Sequence, residues 1–474
     1  MLGIIEAALV ILPIGASLFA IVLDAVSIET VHFLALLMFI CSLVLFVTRA
    51  WVGFRDGRIA ILALVSGFLV WYAFPAYYNC YLNDMPLGSD LSMPIDNRTV
   101  VFAIFYLSIF FSLFFISYWF FQQKKIYSYK PNKFFLNADG KKVFLFALVA
   151  CGVGLIQYLV SGLNIQEIIS LIIKSRSEEK PWIFWSNLGN VKSPFYFIAQ
   201  SMLVAGVSLL WVVTQDTKMS NIFRMLSGII ALIGSALVFF DQGTRSITAL
   251  VLLPFIILML EKSWENSKAL FIRNIIVISV AFLFVIQFQL LVRGSESIPG
   301  ISDILSDRLA LLGGTTDYFT ETLLSIKLIP NFHEYFKESV LYQFISSPIP
   351  RFLWSAKPAS QVVWYYSLHR WGIDIYAGEG NVFPGIVGQY YMSWGWVGVL
   401  IIGASMGWFC AYIDRLLIGF RRDMNFYGKA IGFMLTVWIF LSYRVVSPLL
   451  LYPIVVSVII VLLGCKRNII IENI

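Results

Sequence analysis

Long apolar runs recur along this chain, separated by short clusters of charged and turn-forming residues. A helix needs about 20 apolar residues to cross the hydrocarbon core of a bilayer. Runs near 2–23, 31–48, 59–78, 100–121, 143–162, 195–213, 222–240, 246–260, 274–292, 384–413, 427–443 and 448–464 have that character, and they predict twelve spans. In lipid a backbone polar group finds no outside partner, so helices are the expected spanning elements; the alternating segments of a membrane β-barrel are absent. The tenth run is the longest and holds "SWGWVG" at 393–398, which predicts a short helix inserted ahead of the true span. The opening run has neither a basic start nor a small-residue cleavage site and is expected to be a retained span.

One interval departs from this rhythm. Residues 293–383 are too many for a connection and too apolar for disorder. Within them "SDILSDRLALL" and "NFHEYFKESVLYQFI" show helical spacing of apolar positions, and "SQVVWYYSLHRW" is a third candidate. The second opens with Asn331 followed by Glu334, the spacing of a capping box. These predict short amphipathic helices lying on the membrane surface. The chain therefore divides into spans one to nine (1–292), a large loop (293–383) and spans ten to twelve (384–474).

Charge orients the pattern. Arg49, Arg55, Arg58, the "QQKKIYSYKPNKFFLNADGKK" loop, Lys218, Arg224, Lys262, Lys268, Arg273, Arg421, Arg422 and Lys429 all fall in one alternating set of loops. Cations mark the cytoplasmic side, and long loops are discounted because they cross regardless of charge. Both termini are thus expected in the cytoplasm and the 293–383 loop on the far side. Composition agrees with a membrane location: 59% of residues are hydrophobic and 13% charged, against about 25% charged in soluble domains. The net charge of +7 would suggest nucleic acid in a soluble protein. Here the cations flank spans, where anionic lipid is the plainer partner. The five cysteines are scattered and suggest neither a disulfide framework nor a metal site.

Several chemistries are excluded by what is missing. There is no Gly-rich phosphate loop, no Asp-x-Asp pair, no second histidine after "HEYF", and only 3 histidines in all. No metal or cofactor is expected. What stands out is a set of arginines near the far-side interface. Arg245 follows "DQGT", Arg293 sits in "LLVRGSES", Arg351 and Lys357 lie in "SSPIPRFLWSAKP", Arg370 in "LHRWGID" and Arg444 in "SYRVVSP". A guanidinium at that depth either snorkels to lipid headgroups or grips a phosphate bidentately. Turn-forming neighbours around Arg245 and Arg351 favour placed side chains. Pro348, Pro350 and Pro358 stiffen the second stretch, with Phe352 and Trp354 at headgroup level, and such a loop suits an anionic lipid-linked ligand.

Among carboxylates and histidines, Glu379 in "AGEGN" and His369 are the candidate bases, against the bland readings of a solvated loop carboxylate and a stacked loop histidine. Asp317 and Glu321 read as a solvated helix face, Asp241 as a partner of Arg245, and Glu6 as a snorkelling side chain near a span end. Trp354, Trp364, Tyr365, Tyr366 and Trp371 suit either sugar stacking or interfacial anchoring.

"SSPIPRFLWSAKPAS", followed by "GEGNVFPGIVGQYYMSWGWVGVLIIG", together with "GTRS" at 243–246, resembles the Wzy-type O-antigen polymerases. The resemblance covers topology over the whole chain and motifs over 340–410 and 243–246; Gln389 stands where many members carry Glu before a Tyr. It implies an all-α, GT-C-like polytopic enzyme of the bacterial inner membrane. Such an enzyme transfers a glycan from undecaprenyl diphosphate to a hydroxyl of an incoming lipid-linked repeat unit, with a Wzz-type chain-length regulator as an expected partner. For that chemistry Arg245 and Arg351, then Arg293, Arg444 and Lys357, are expected to hold the diphosphate, and Trp354 and Arg370 the sugar. An O-antigen ligase and a lipid-linked oligosaccharide flippase are the alternatives; the long far-side loop argues against the flippase.

Overall fold

The computed structural model describes residues 2–82, 87–88, 91, 93–123, 138–159, 163–164, 166–168, 196–242, 245–278, 317–338, 354, 360–372, 383–444 and 448–465. In chain order the helices are α1 (Leu2–Val22), α2 (Ile28–Asp56), α3 (Ile59–Tyr81), α4 (Asn97–Gln123) and α5 (Gly140–Leu159). They continue with α6 (Tyr196–Val213), α7 (Asn221–Gln242), α8 (Arg245–Asn266), α9 (Tyr318–Leu328), α10 (Gln361–Trp371), α11 (Gly385–Arg422), α12 (Phe426–Ser442) and α13 (Pro448–Gly464). No strand occurs among the described residues, where one isolated bridge joins Ala138 and Cys465. Among the described residues eight helices are long and apolar enough to cross a membrane, and α6, α12 and α13 are shorter apolar helices. The fold is all-α and polytopic. The predicted ninth span, 274–292, is described only through 278, where it is helical.

Local chemistry explains the helix ends. Ser27 caps α2 by accepting from the N–H of Thr30, and Gly57 closes it at φ 72°. Asn425 caps α12 through the N–H of Gly428 at 2.9 Å. Inside the spans, hydroxyls fold back on their own helix: Ser17 donates to the Pro13 carbonyl at 2.7 Å and Ser457 to that of Pro453 at 2.8 Å. A polar group in hydrocarbon has to be satisfied internally, and these bonds do it. Each is the back-bond of a helical serine to the carbonyl four residues earlier.

Packing uses small residues where backbones meet. α4 lies along α11, and a Cβ at Gly403 or Gly407 would come within 2.8 Å of the Phe110 carbonyl oxygen or 2.2 Å of that of Phe114. This is the small-xxx-small approach of membrane helices, reinforced by Ser117 donating to the Ala404 carbonyl at 2.7 Å. The lipid side is apolar in turn: Ile222 is 74% exposed and Leu232 63% on α7. The bundle thus has an apolar outside and polar groups gathered at its two ends. One, the basic end, holds the start of α1 and the cations Arg55, Arg421 and Arg422; the other, the loop end, holds α9 and α10.

Two helices are irregular. α3 contains a π-helical turn, Leu69–Ala73, beside the ring of Tyr443, which takes the space a side chain at Gly67 would need. α11 breaks at Gly395, where φ 62° and ψ −147° are open to glycine alone. The segment Gly385–Trp394 is the short helix predicted ahead of the span. The break frees carbonyls, and those of Met392 and Ser393 accept from the N–H groups of Phe336 and Lys337 at 3.1 and 2.8 Å.

That pairing corrects one expectation. Residues 331–338 are not helical. The Asn331 amide turns back to the Lys327 carbonyl at 3.0 Å instead of capping a new helix, and the following backbone serves the broken α11. The rest of the second predicted loop helix, and the whole of the first, lie outside the described residues. The third is found as α10, with Ser360 as its cap.

Candidate functional site

The loop end is assembled around α9. Asp317 caps this helix, accepting from the N–H of Thr320 at 2.8 Å and its hydroxyl at 2.6 Å. Asn79 donates to the same carboxylate at 2.8 Å and so ties α9 to α3. Phe319, Leu323 and Leu324 are fully buried. The helix is therefore embedded in the bundle, which corrects the expectation of surface helices and of a solvated face at Asp317 and Glu321.

Glu321 is the centre of the polar contacts. Its two carboxylate oxygens accept from Nε of Arg370, each at 3.2 Å, and the buried Tyr366 hydroxyl donates to it. Arg370 and Glu321 form a largely buried ion pair, so α10 is locked to α9 by charge as well as by packing. Burial and the Glu321 charge push the Tyr366 phenol far up. The Arg370 guanidinium also lies 4.3 Å from the ring centroid of Trp371, whose side chain is 61% exposed.

One turn earlier on the same helix face, Tyr318 lies within the field of the Arg444 charge. Burial raises the Tyr318 phenol to about 12, while the Arg444 charge works in the opposite direction. Arg444 itself is exposed. Two arginines from segments far apart in sequence thus meet neighbouring turns of α9.

The remaining predicted residues divide clearly. His369 is half-buried; its Nδ1 lies 2.9 Å from the Tyr365 carbonyl of its own helix, and its ring is 4.1 Å from that of Tyr365. A carbonyl only accepts, so Nδ1 carries the proton and Nε2 is the acceptor in the neutral ring. The His369 ring ends an aromatic row with Tyr365, Phe336 and His333. Trp354 is half-buried. Arg245 begins α8, which packs beside α12, but its side chain and that of Asp241 lie outside the described residues. Arg293, Arg351, Lys357 and Glu379 also lie outside them. Tyr366 is fully buried, so sugar stacking does not fit it, whereas Trp371 keeps an open surface.

Glu338 supports the site from below. Its carboxylate accepts from the N–H of Val362 at 3.1 Å and the hydroxyl of Ser360 at 3.2 Å, and its carbonyl accepts from Trp394 Nε1 at 3.0 Å. Burial holds this carboxyl above its usual range. The start of α10 and the broken part of α11 are thereby joined. No group of His, Cys, Asp and Glu able to hold a metal occurs among the described residues.

The basic end carries its own network. Arg49 and Glu6 pair at 2.5 Å, both buried, which corrects the snorkelling expected of Glu6. Asp414, fully buried, accepts from the N–H groups of Ala60 and Ile61 at 2.8 and 3.3 Å and from Tyr118 at 2.9 Å. It is the side-chain cap of α3, supplied by a residue on α11. Lys429 and Arg421 converge on Glu261 at 2.9 and 3.5 Å.

These features define an all-α, multi-pass membrane protein with charged residues from a long loop drawn into one end of its helical bundle. Compared with known proteins, the chain stands apart: no family model, no curated protein and no solved structure matches it.

Proposed function

We propose that this chain is a glycosyltransferase that polymerises undecaprenyl-diphosphate-linked oligosaccharide units at the periplasmic face of a bacterial inner membrane, as its resemblance to the Wzy-type polymerases implies. The observation that carries the reading is the meeting of Arg370 and Arg444 on adjacent turns of α9, at the end opposite the cation-rich loops. Arg245 starts α8 at that same end.

In this reading the growing glycan leaves its lipid diphosphate as a hydroxyl of the incoming unit attacks the anomeric carbon. The glycosidic C–O bond to phosphate breaks, and the acceptor proton passes to a base. Negative charge grows on the departing diphosphate, and fixed guanidinium groups stabilise it more in the transition state than before. Arg444, exposed and near Tyr318, has the access such a ligand needs. Arg370 is held by Glu321 and acts in positioning. Arg245, Arg351, Arg293 and Lys357 are the further diphosphate candidates, Trp354 a sugar contact, and Glu379 and His369 the candidate bases.

The test is Arg444→Ala, with membrane abundance confirmed by immunoblot and glycan length read on gels. Loss of a transition-state cation lowers turnover by about 10²–10³-fold, so long chains are expected to disappear. Long chains at wild-type level would overturn the role. Deleting the protein separates the alternatives: a polymerase leaves core capped with single units, a ligase leaves bare core, and a flippase leaves units on the inner leaflet.

A further inference from the structure

We propose that Trp371 is a stacking platform for a sugar ring, with Arg370 and Glu321 as the positioning residues that hold its indole in place. The saccharide class rests on the reading above; the platform itself rests on geometry. A tryptophan that only anchors a helix at the membrane interface needs an apolar body and a polar tip, and nothing has to fix its plane. Trp371 is arranged differently. One face of its indole is covered by the Arg370 guanidinium at 4.3 Å. That guanidinium is buried and held by both oxygens of Glu321, and Glu321 is held in turn by the buried Tyr366 hydroxyl.

The chain of contacts therefore runs from the buried core of α9 outward to one clamped aromatic plane. The far side of that plane is open. Trp371 is 61% exposed, and at the next residue, Gly372, a side-chain carbon would meet no atom within 4 Å. Gly372 also ends α10 at φ 67°, its N–H bonded to the Leu368 carbonyl at 2.9 Å, so the last turn carrying the indole is closed rather than frayed. A fixed aromatic plane with a cation behind it and free space before it suits the apolar C–H face of a pyranose. A rigid aromatic also binds with little loss of side-chain freedom. Arg444, from the turn after α12, lies near Tyr318 on the turn of α9 that precedes Glu321, which puts the proposed phosphate contact beside the element that anchors Arg370.

The experiment is saturation-transfer NMR on the full chain in nanodiscs, with methyl glycosides of glucose, galactose, N-acetylglucosamine and rhamnose as probes. Wild type, Trp371→Phe, Trp371→Leu and Arg370→Lys are compared, and glycan length is scored in cells carrying the same variants. At least one glycoside is expected to receive saturation through its ring C–H protons. Trp371→Phe should keep it within about twofold, and Trp371→Leu should weaken it about three- to tenfold, the range for an aromatic contact. Arg370→Lys keeps the charge but loses the planar clamp, and should fall between them. Equal binding by Trp371→Leu and wild type overturns the platform. So does an absence of saturation combined with wild-type glycan length in Trp371→Leu, the result expected of a membrane anchor. Binding that depends on Trp371, in a protein whose deletion leaves glycan length unchanged, keeps the platform and overturns the polymerase reading instead.

Discussion

The two ends of this bundle use the same ingredients, buried arginines and carboxylates, to different effect. At the basic end the partners sit on long spans: Glu6 on α1 with Arg49 on α2, Asp414 on α11 with the start of α3 and Tyr118 on α4, and Glu261 on α8 with Lys429 on α12. Every contact joins two helices that must stay adjacent. At the loop end the partners sit on α9 and α10, neither long enough to cross a membrane, and on the turn after α12. There the charges lead outward, to an exposed Arg444 and an exposed Trp371. Burying charge inside spans fixes which helices are neighbours; placing it on short helices between spans leaves part of it exposed.

That contrast makes measurable demands. The largest effect is expected from Asp414→Ala, which strands two backbone N–H groups and the Tyr118 hydroxyl in the core. At about 1–3 kcal/mol for each stranded donor, the loss should reach roughly 4–6 kcal/mol. It should appear as a collapse of the thermal transition in detergent. Next comes Arg49→Ala, at about 3–5 kcal/mol, because it leaves Glu6 buried without its partner. The double change Glu6→Leu with Arg49→Met should recover most of that stability, and a double variant as unstable as the single one would show that the pair does more than join α1 to α2. At the loop end, Glu321→Gln keeps the shape but weakens the hold on Arg370. We expect about 1–2 kcal/mol of stability lost alongside a severe shortening of glycan, a split that no basic-end substitution should reproduce. Gly395→Ala touches no charge at either end and should change stability alone, by about 1–3 kcal/mol for a side chain in a conformation reserved for glycine, read as a lowered melting temperature.

Much of the fold was legible in the sequence because spans announce themselves by length and apolarity alone. The break in α11 was visible too, since "SWGWVG" places a glycine between two tryptophans. Other features depended on partners far away in the chain. The helix "YFTETLLSIKL" has threonines, a glutamate and a lysine, and reads as a surface element until Asn79 and Arg370 are seen to pair with its polar groups. Glu6 read as a snorkelling side chain because its partner lies at Arg49, on another helix. The capping pattern at Asn331 was real as a pattern. It lost to the freed carbonyls of Met392 and Ser393, acceptors that exist only because Gly395 interrupts a different helix. In the site, Arg370 and Arg444 were visible as interfacial arginines, while Glu321 and Tyr366, which fix Arg370, carried no local signal of that work.

The interruption at Gly395 also has a mechanical side. A continuous rod would carry any push on its outer tip straight through the membrane. Here the piece from Gly385 to Trp394 is stitched to Phe336 and Lys337, and it meets the remainder of α11 at a break in the backbone ladder. The piece on the loop side of Gly395 and the length packed along α4 are thus two helical segments with separate anchors.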